Sequence, residues 1–571
     1  MELQKIKQNK TASILAFGVP ATVGMLMSSL ITIVDGYFAG NYVGSKALVA
    51  INLGLPLLYF YLAVGLMIGV GGSVIAGIAI GNGDRQKSCS VFSQSMVLVL
   101  LAGVTISVVA GIFFNPLMKF LKAGEVADLF RLYYSVFLFS APLMIIDSCY
   151  GMFLRSDGEP QIYMGFNALA IILNGILDYI FTAKLGLGIR GLIFASLISL
   201  SLSVMMCTMY FILRKSKNEN HILLRFTKFS FNRETVCQTF CNGSSECIGE
   251  LAGCISMFCY NFVLLKYIGP KGVAAFTIIG YSIFVFNMIT IGLGEGMCPL
   301  VSFSLGAKES ELCVELRKIT NRIVFVVGMI FAVALFLGGE FYCSFFVKEA
   351  EIIGMVSRGF RLFSVVFLLQ GFNVIGSMYF TSMSMPKQSA LIASLRGIVI
   401  LLTLIFVFSA LFGMDGIWLT APVTEALTLV ATILFCVKGK SMNDNIIIKG
   451  LTQNNLKNIS LELPKNKIIV FTGVSGSGES SIVFDTIAAE SQRQMNETYS
   501  AFARARLPKY EKPHVEFIDN LTASVIIDQS RLGGNARSTV GTLSAMYACV
   551  RLLFGRIGSP WVGAASYFSF N

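Results

Sequence analysis

Ile162-Tyr-Met-Gly-Phe-Asn-Ala-Leu-Ala-Ile-Ile-Leu-Asn-Gly-Ile-Leu-Asp-Tyr-Ile-Phe-Thr182 is long enough to cross a bilayer as a helix, yet it carries Asn174 and Asp178. Asp35 lies in the first apolar run of the chain. Ionisable groups at membrane depth are costly and mark ion or substrate paths. Outward from this stretch the composition agrees. The chain has 571 residues, 55% hydrophobic and 13% charged, with mean hydropathy +0.73. Soluble proteins carry about twice that charged fraction. The fold expected is an all-α polytopic membrane protein.

About twelve runs have the length of a span: 12–36, 52–80, 93–115, 134–154, 162–183, 191–213, 236–265, 274–303, 321–340, 360–382, 395–413 and 417–437. The net charge of +12 reads as cytoplasmic-side Lys and Arg, not as a nucleic-acid surface. Lys5, Lys7 and Lys10, then Arg85 and Lys87, the central loop from Arg214 to Arg233, and Lys308 to Arg322 fall on one side. That bias predicts a multi-pass protein of the cell membrane with both termini cytoplasmic. Met1 to Lys10 does not read as a cleavable signal. The 13 cysteines include no CxxC pair, so no metal site or disulfide framework is expected. His221 and His514 sit in polar surroundings.

The two halves repeat. Gly44-Ser-Lys-Ala-Leu-Val-Ala50 matches Gly269-Pro-Lys-Gly-Val-Ala-Ala275, Gly65 to Gly69 matches Gly292 to Gly296, Gly81 matches Gly306, and Gly188-Ile-Arg-Gly191 matches Gly413-Met-Asp-Gly416. The offset stays near ~225 residues, the length of six spans with their loops, giving repeats of the same orientation. The expected domains are a six-helix lobe over 1–216, a second over 217–440, and a separate α/β segment over 441–571. Two such bundles can rock about a central cleft.

Asn174 and Asp178, at i and i+4, share a helix face. An amide beside a carboxylate can coordinate a cation such as Na⁺, or hydrogen-bond the carboxyl and tune its hold on a proton. Asp35 is a candidate for the same cavity. At the repeat offset these three positions hold Tyr260, Val399 and Thr403, so an ion site would belong to the first lobe alone. Glu246 and Glu250 form another i, i+4 pair, Glu295 lies in the eighth span, Asp147 in the fourth and Glu425 in the twelfth. Glu246, Glu250, Glu295 and Glu425 could line a cleft for cations. Few Lys or Arg fall within the spans, which favours cationic over anionic cargo. Pro20 removes a backbone donor and permits a helix bend. Tyr37, Phe38, Tyr260, Phe284 and Phe286 are candidates for an apolar binding surface, with lipid or helix packing as the plainer reading.

In the tail, Asn445-Ile-Ile-Ile-Lys449 and Ile468-Ile-Val-Phe-Thr472 read as strands, and Ser480 to Gln492 as a helix. Gly473-Val-Ser-Gly-Ser-Gly-Glu-Ser480 has the frame of a phosphate-binding loop. Gly473, Gly476 and Gly478 would free backbone N–H groups for phosphates, and Ser480 closes the frame. The lysine of that frame is replaced by Glu479, which sets an anion beside a polyphosphate. Loss of tight ATP binding and hydrolysis is expected.

Residues 1 to about 440 resemble the multidrug and toxic compound extrusion (MATE) family. The resemblance rests on Gly18-Val-Pro-Ala-Thr22, Val34-Asp-Gly-Tyr-Phe-Ala-Gly40, Leu173-Asn-Gly-Ile-Leu-Asp-Tyr179 and Gly292 to Pro299 leading to Ser302 and Gly306. It implies export of cationic and amphipathic small molecules, driven by inward H⁺ or Na⁺, with an acidic site on Asp35, Asn174 and Asp178. It implies no enzyme activity, no resident cofactor or metal and no nucleic-acid partner, and lipids and small molecules as contacts of a monomer. Glu250 is the nearest match to a span-seven glutamate of some subfamilies, and Glu295 departs from the family pattern. A lipid-linked oligosaccharide flippase of related architecture is the alternative. Residues 445–571 resemble the N-terminal segment of the excinuclease A subunit and its drug-resistance paralogues. That resemblance rests on Asn454 to Ile459, Gly473 to Ser481, Phe484-Asp-Thr-Ile487, Ile527-Asp-Gln529, Arg537 to Thr542 and Phe568 to Asn571. It implies a partial P-loop (ABC-type) domain with Gln529 near nucleotide and Mg²⁺, ending before the expected zinc-binding cysteines. An ATP-driven exporter is a further alternative, opposed by Glu479 and by the missing ABC signature. The expectation is an accidental or decayed gene fusion with an inactive ATPase-like fragment, the alternative being a functional fusion whose tail regulates the transporter.

Overall fold

The computed structural model describes residues 3–121, 124–213, 224–442, 445–465, 467–497, 508, 510–527 and 546–568. The chain divides into two compact units, Met1–Cys436 and Val437–Asn571.

Within the described residues, eleven helical segments are long and apolar enough to cross a membrane. Their main helices are α1 (Lys10–Phe38), α2 (Leu55–Gly81), α3 (Arg85–Ile112), α4 (Ala127–Ser156), α5 (Pro160–Asp178) and α6 (Ile189–Leu213) in the first sequence half, here labelled the first lobe. The second lobe has α7 (Arg233–Tyr267), α8 (Pro270–Gly306), α9 (Ser310–Ser344), α10 (Val365–Ser382) and α11 (Ile400–Met442). Local chemistry sets the starts. The Asp84 carboxylate accepts the Lys87 N–H at 2.9 Å and caps α3, and Asn232 does the same for Thr235 at α7, 3.1 Å. Pro160 and Pro270 open α5 and α8 at positions that need no N–H donor. Pro20 lies inside an uninterrupted α1.

Twelve spans were expected and eleven segments appear because the last is double. Pro386–Val437 contains 52 residues. Straight, it would reach about 78 Å, against a hydrocarbon core of ~30 Å. It breaks at Gly413, whose φ of 57° and ψ of −130° are not helical. The two arms coincide with the runs 395–413 and 417–437.

The lobes meet along α1 against α8 and α2 against α7, with several close backbone approaches toward one end. A Cβ on Gly81 would stand 2.1 Å from the Phe303 carbonyl oxygen, and one on Gly306 2.0 Å from that of Ile78. These two contacts exchange under the repeat offset of ~225 residues. Likewise Gly71 abuts the Thr239 carbonyl and Gly243 that of Met67, while Gly296 abuts Gly18. Only glycine permits backbones to approach so closely. In the other halves of the same helices, a Cβ on Gly36, Gly253 or Gly280 would meet no atom within 4 Å. Close backbone approaches thus seal the bundle where α1 and α7 begin and α2 and α8 end (the closed end), and these three glycines of the other halves make none.

In the tail, β1 (Asn445–Leu451) pairs antiparallel with β2 (Ile459–Pro464) and β3 (Val515–Asp519), in the order β2-β1-β3. Ile448, Leu451, Leu456 and Leu463 form its buried core. A helical run covers Glu479–Ile482, a π turn Val483–Ala488, and Ala489–Glu497, and a further helix covers Met546–Ile557. The run 468–472, expected to be a strand ahead of the glycine loop, is not one. Ile468 is 96% exposed and Val470 75%. A strand requires a hydrogen-bonding neighbour, and the three described strands pair with one another alone.

Candidate functional site

Asp178 ends α5 and is fully buried, as is Asn174 one turn earlier. Asp35, on the last turn of α1, has its carboxyl within side-chain reach of Asp178. Asn174 joins them. In the amide orientation that satisfies both ends, its nitrogen donates to Asp35 Oδ1 at 3.3 Å and its oxygen accepts the Ser196 N–H at 3.2 Å. Neither carboxylate oxygen of Asp178 receives a donor from the described residues. Tyr133 of α4 stands within electrostatic reach of both carboxyls. Buried polar atoms are nearly always partnered, and one that is not asks for an explanation.

The other intramembrane acids contrast with it. Asp147 accepts from Ser203 Oγ at 2.5 Å and from the Tyr163 hydroxyl at 3.0 Å. Glu425 accepts from Arg396 Nε at 2.6 Å and from Asn373 Nδ2 at 2.7 Å, and Thr432 donates to Asn373 at 2.9 Å. These acids are satisfied from within their own lobes and read as packing. Glu295 of α8 is paired across the lobes, with Arg155 Nη2 of α4 standing 2.9 Å from its Oε2. Glu246 and Glu250 of α7 are its electrostatic neighbours. The five acidic-site candidates thus fall into two groups. Asp35, Asn174 and Asp178 come together in the first lobe, and Glu250 and Glu295 belong to a second cluster nearer the closed end.

Residues 20–180 and 247–409 match the MatE family. The chain belongs to this family. Among solved structures, its membrane unit is similar to a multidrug resistance MATE family transporter of the MOP superfamily, described in an outward-facing conformation. The TM-score is 0.71 and the identity 22%, covering 76% of this chain and 96% of that one. A MOP superfamily transporter from Pyrococcus furiosus, reported with a binding pocket of reverse polarity, gives 0.70 at 22% identity, covering 75% and 95%. At these identities the likeness is one of fold. This MatE chain is a multi-pass membrane protein with the MATE transporter architecture.

Within the MatE unit, sequence reasoning missed Ser196, Tyr133 and Arg155. The first two are ordinary helix residues whose role comes only from packing against α5. Arg155 precedes a turn and looks like one more basic residue at a span end, but it is buried, with its guanidinium 5.5 Å from the Tyr163 ring centroid. Arg155, one residue past the fourth run, and Arg396 each pair with an acid inside the unit. Tyr260 and Phe286 are buried among other side chains, so neither offers a surface to a ligand here. Tyr37 and Phe284 are exposed.

In the tail loop, Gly476 and Gly478 take φ of +88° and +104°, values that suit glycine. A Cβ on Gly473 would lie 2.4 Å from Glu479 Oε1, so this carboxylate folds back over the loop. Ser480 is in the first turn of the following helix. Gln529 lies outside the described residues, as do Arg537 to Thr542 and Ser569 to Asn571. This segment is similar to UvrABC system protein A from Streptomyces avermitilis, 52% identical over 119 residues, which are 21% of this chain and 12% of that protein. The counterpart from Clostridium perfringens is also 52% identical over 119 residues, 13% of its length. The chain spans about an eighth of the length of the curated relatives it matches.

Proposed function

We propose that the membrane unit is a secondary antiporter that exports cationic or amphipathic small molecules in exchange for H⁺ or Na⁺. The observation that carries this reading is Asp178, a buried carboxylate that receives no donor among the described residues and lies beside Asp35 and Asn174. Oxygen ligands of this kind suit Na⁺, and two facing carboxyls suit a proton. With its carboxylates ionised the site favours an organic cation. Arrival of the coupling ion neutralises it and weakens the hold on cargo. Lys7, Lys10, Arg85, Lys87 and Lys308 lie at or beside the closed end, which supports a cytoplasmic closed end and a cell-membrane location with both termini inside. The unit works as a monomer.

The tail is an inactive fragment. The carboxylate of Glu479 over the glycine loop repels phosphate where the frame calls for a cation. Efflux of a fluorescent organic cation from vesicles under an imposed H⁺ or Na⁺ gradient tests the whole reading. Export should survive ending the chain at Lys440 and ATP depletion, and vanish in Asp178→Asn. Export that ignores Asp178→Asn but needs ATP or the tail would replace antiport with ATP-driven transport.

A further inference from the structure

Among the described residues, three ion pairs join the lobes at the closed end. Lys7 meets Glu309 at 2.6 Å and Lys10 meets Glu315 at 2.5 Å, with side chains 31–49% exposed. Such pairs contribute little, because water and salt screen them. The third is different. The Arg155 and Glu295 side chains are 7% and 5% exposed, at 2.9 Å. Their contact is an ion pair without full hydrogen-bond geometry, since Glu295 Oε2 receives no aligned donor. Arg155 is held on its own lobe by the Tyr163 ring and by Met152, whose sulfur lies 3.2 Å from Nη1.

The partners sit on different lobes. If the closed end parts, Arg155 departs with α4, while Glu295 stays with Glu246 and Glu250 of α7 on the second lobe. A buried charge that loses its partner is strongly destabilised unless water or another cation replaces it. An organic cation entering through that opening is such a replacement.

We propose that Arg155 is a tethered counter-cation: it holds the closed end shut by occupying Glu295, yields Glu295 to a cationic substrate when that end opens, and displaces the substrate when it closes. This rests on the reading that the chain carries organic cations through an alternating cleft. It makes Arg155 a positioning residue of the cycle and places a second cargo contact on the lobe opposite Asp178.

A double-mutant cycle on the full chain tests it, with Arg155→Gln, Glu295→Gln, the pair combined, and Arg155→Lys. The first readout is hydrogen exchange without ligand in peptides covering 67–81 and 239–245, which seal the closed end. Each single neutralisation should speed exchange about tenfold or more, because it strands a buried charge only in the closed state. The combined variant should exchange less than either single, and Arg155→Lys should stay near the parent. The second readout is equilibrium binding of ethidium. Arg155→Gln should bind it about tenfold tighter, for want of the internal competitor, and Glu295→Gln more weakly. Additive exchange effects, unchanged exchange in both singles, or no tighter binding by a folded Arg155→Gln would overturn the proposal. A parent chain that binds no organic cation, with the exchange cycle still non-additive, would overturn the cargo assignment and leave Arg155 as the lock of the closed end.

Discussion

Gly243→Ala and its repeat counterpart Gly18→Ala should behave differently. A Cβ on Gly243 would stand 1.8 Å from the Met67 carbonyl oxygen and 2.6 Å from its carbon. Carbon–oxygen contacts settle near 3.3 Å, so α2 and α7 must separate by about 1.5 Å. A Cβ on Gly18 meets the Leu293 Cδ2 methyl at 2.9 Å and the Leu293 backbone at 3.4 Å, which a rotamer change accommodates. Overpacking against backbone costs about 1–3 kcal/mol. Exchanging glycine for alanine in a helix returns up to about 1 kcal/mol. Gly18→Ala should therefore be near neutral. Gly243→Ala should penalise the sealed arrangement by a net 1–2 kcal/mol or so. If the closed end is a gate, opening relieves that strain without unfolding, and the population open at that end rises roughly 5- to 30-fold. Hydrogen exchange in 67–81 should increase by that factor, with the thermal midpoint in detergent nearly unchanged. Equal behaviour of the two variants would refute the contact argument. A lowered midpoint in Gly243→Ala without faster exchange would show static packing in place of a gate.

Asp35→Asn and Asp178→Asn should each lower gradient-driven efflux by more than about tenfold, since one carboxyl cannot replace a facing pair, whereas Asp147→Asn should cost much less; comparable losses in initial-rate assays for all three would deny the first two any special role. A chain ending at Lys440 should keep parental efflux and thermal midpoint within a degree or two, because the two units are separately compact. Glu479→Lys alone should not confer measurable ATP binding by fluorescence titration, because the run 468–472 before the loop lacks strand partners. Arg493 hydrogen-bonds Glu490 and holds its carboxyl below the usual range. That stability is fully present above an unfolded value of about 4.3 and is lost as pH falls through the lowered folded value. Limited proteolysis of the tail should accelerate below about pH 4, and Glu490→Gln should show the faster cleavage already at neutral pH.

Each membrane span was legible because bilayer crossing imposes a length on an apolar run, and even the ambiguous last segment was marked by Gly413-Met-Asp-Gly416. The first-lobe site was legible for a related reason. Asn174 and Asp178 fall on one helix face by spacing alone, and polar residues there stand out against the apolar run. Ser196, Tyr133 and Arg155 carry no such contrast, because what makes them notable is the neighbour, and helix–helix packing is not written in local periodicity. The misreading at 468–472 has the opposite origin. A β-branched run satisfies local preference, but a strand is a property of at least two segments, and this run pairs with none of the described strands. Local signals suffice where each segment answers to the bilayer, and fail where a segment answers to another segment.

The division between what repeats and what does not bears on how the machine works. The contacts that seal the closed end exchange under the repeat: Ile78 with Phe303, Gly81 with Gly306, Gly71 with Gly296. At these glycines backbone meets backbone, so the two bundles can part there without reordering a side chain. The ionisable groups break the symmetry. Asp35 and Asp178 have no counterparts in the second lobe, and Arg155 has Phe380 at the matching offset. Coupling requires a ligand to distinguish two states, and a group duplicated on both lobes would respond to opening and closing in ways that partly cancel. Unique acids on the first lobe and a unique cation reaching into the second give each half of the cycle its own electrostatic signature. Installing a second copy of Asn174 and Asp178, as Val399→Asn with Thr403→Asp, should therefore slow turnover per folded molecule in efflux assays at saturating substrate. Unaltered or faster turnover by that variant would show that charge asymmetry is incidental to coupling.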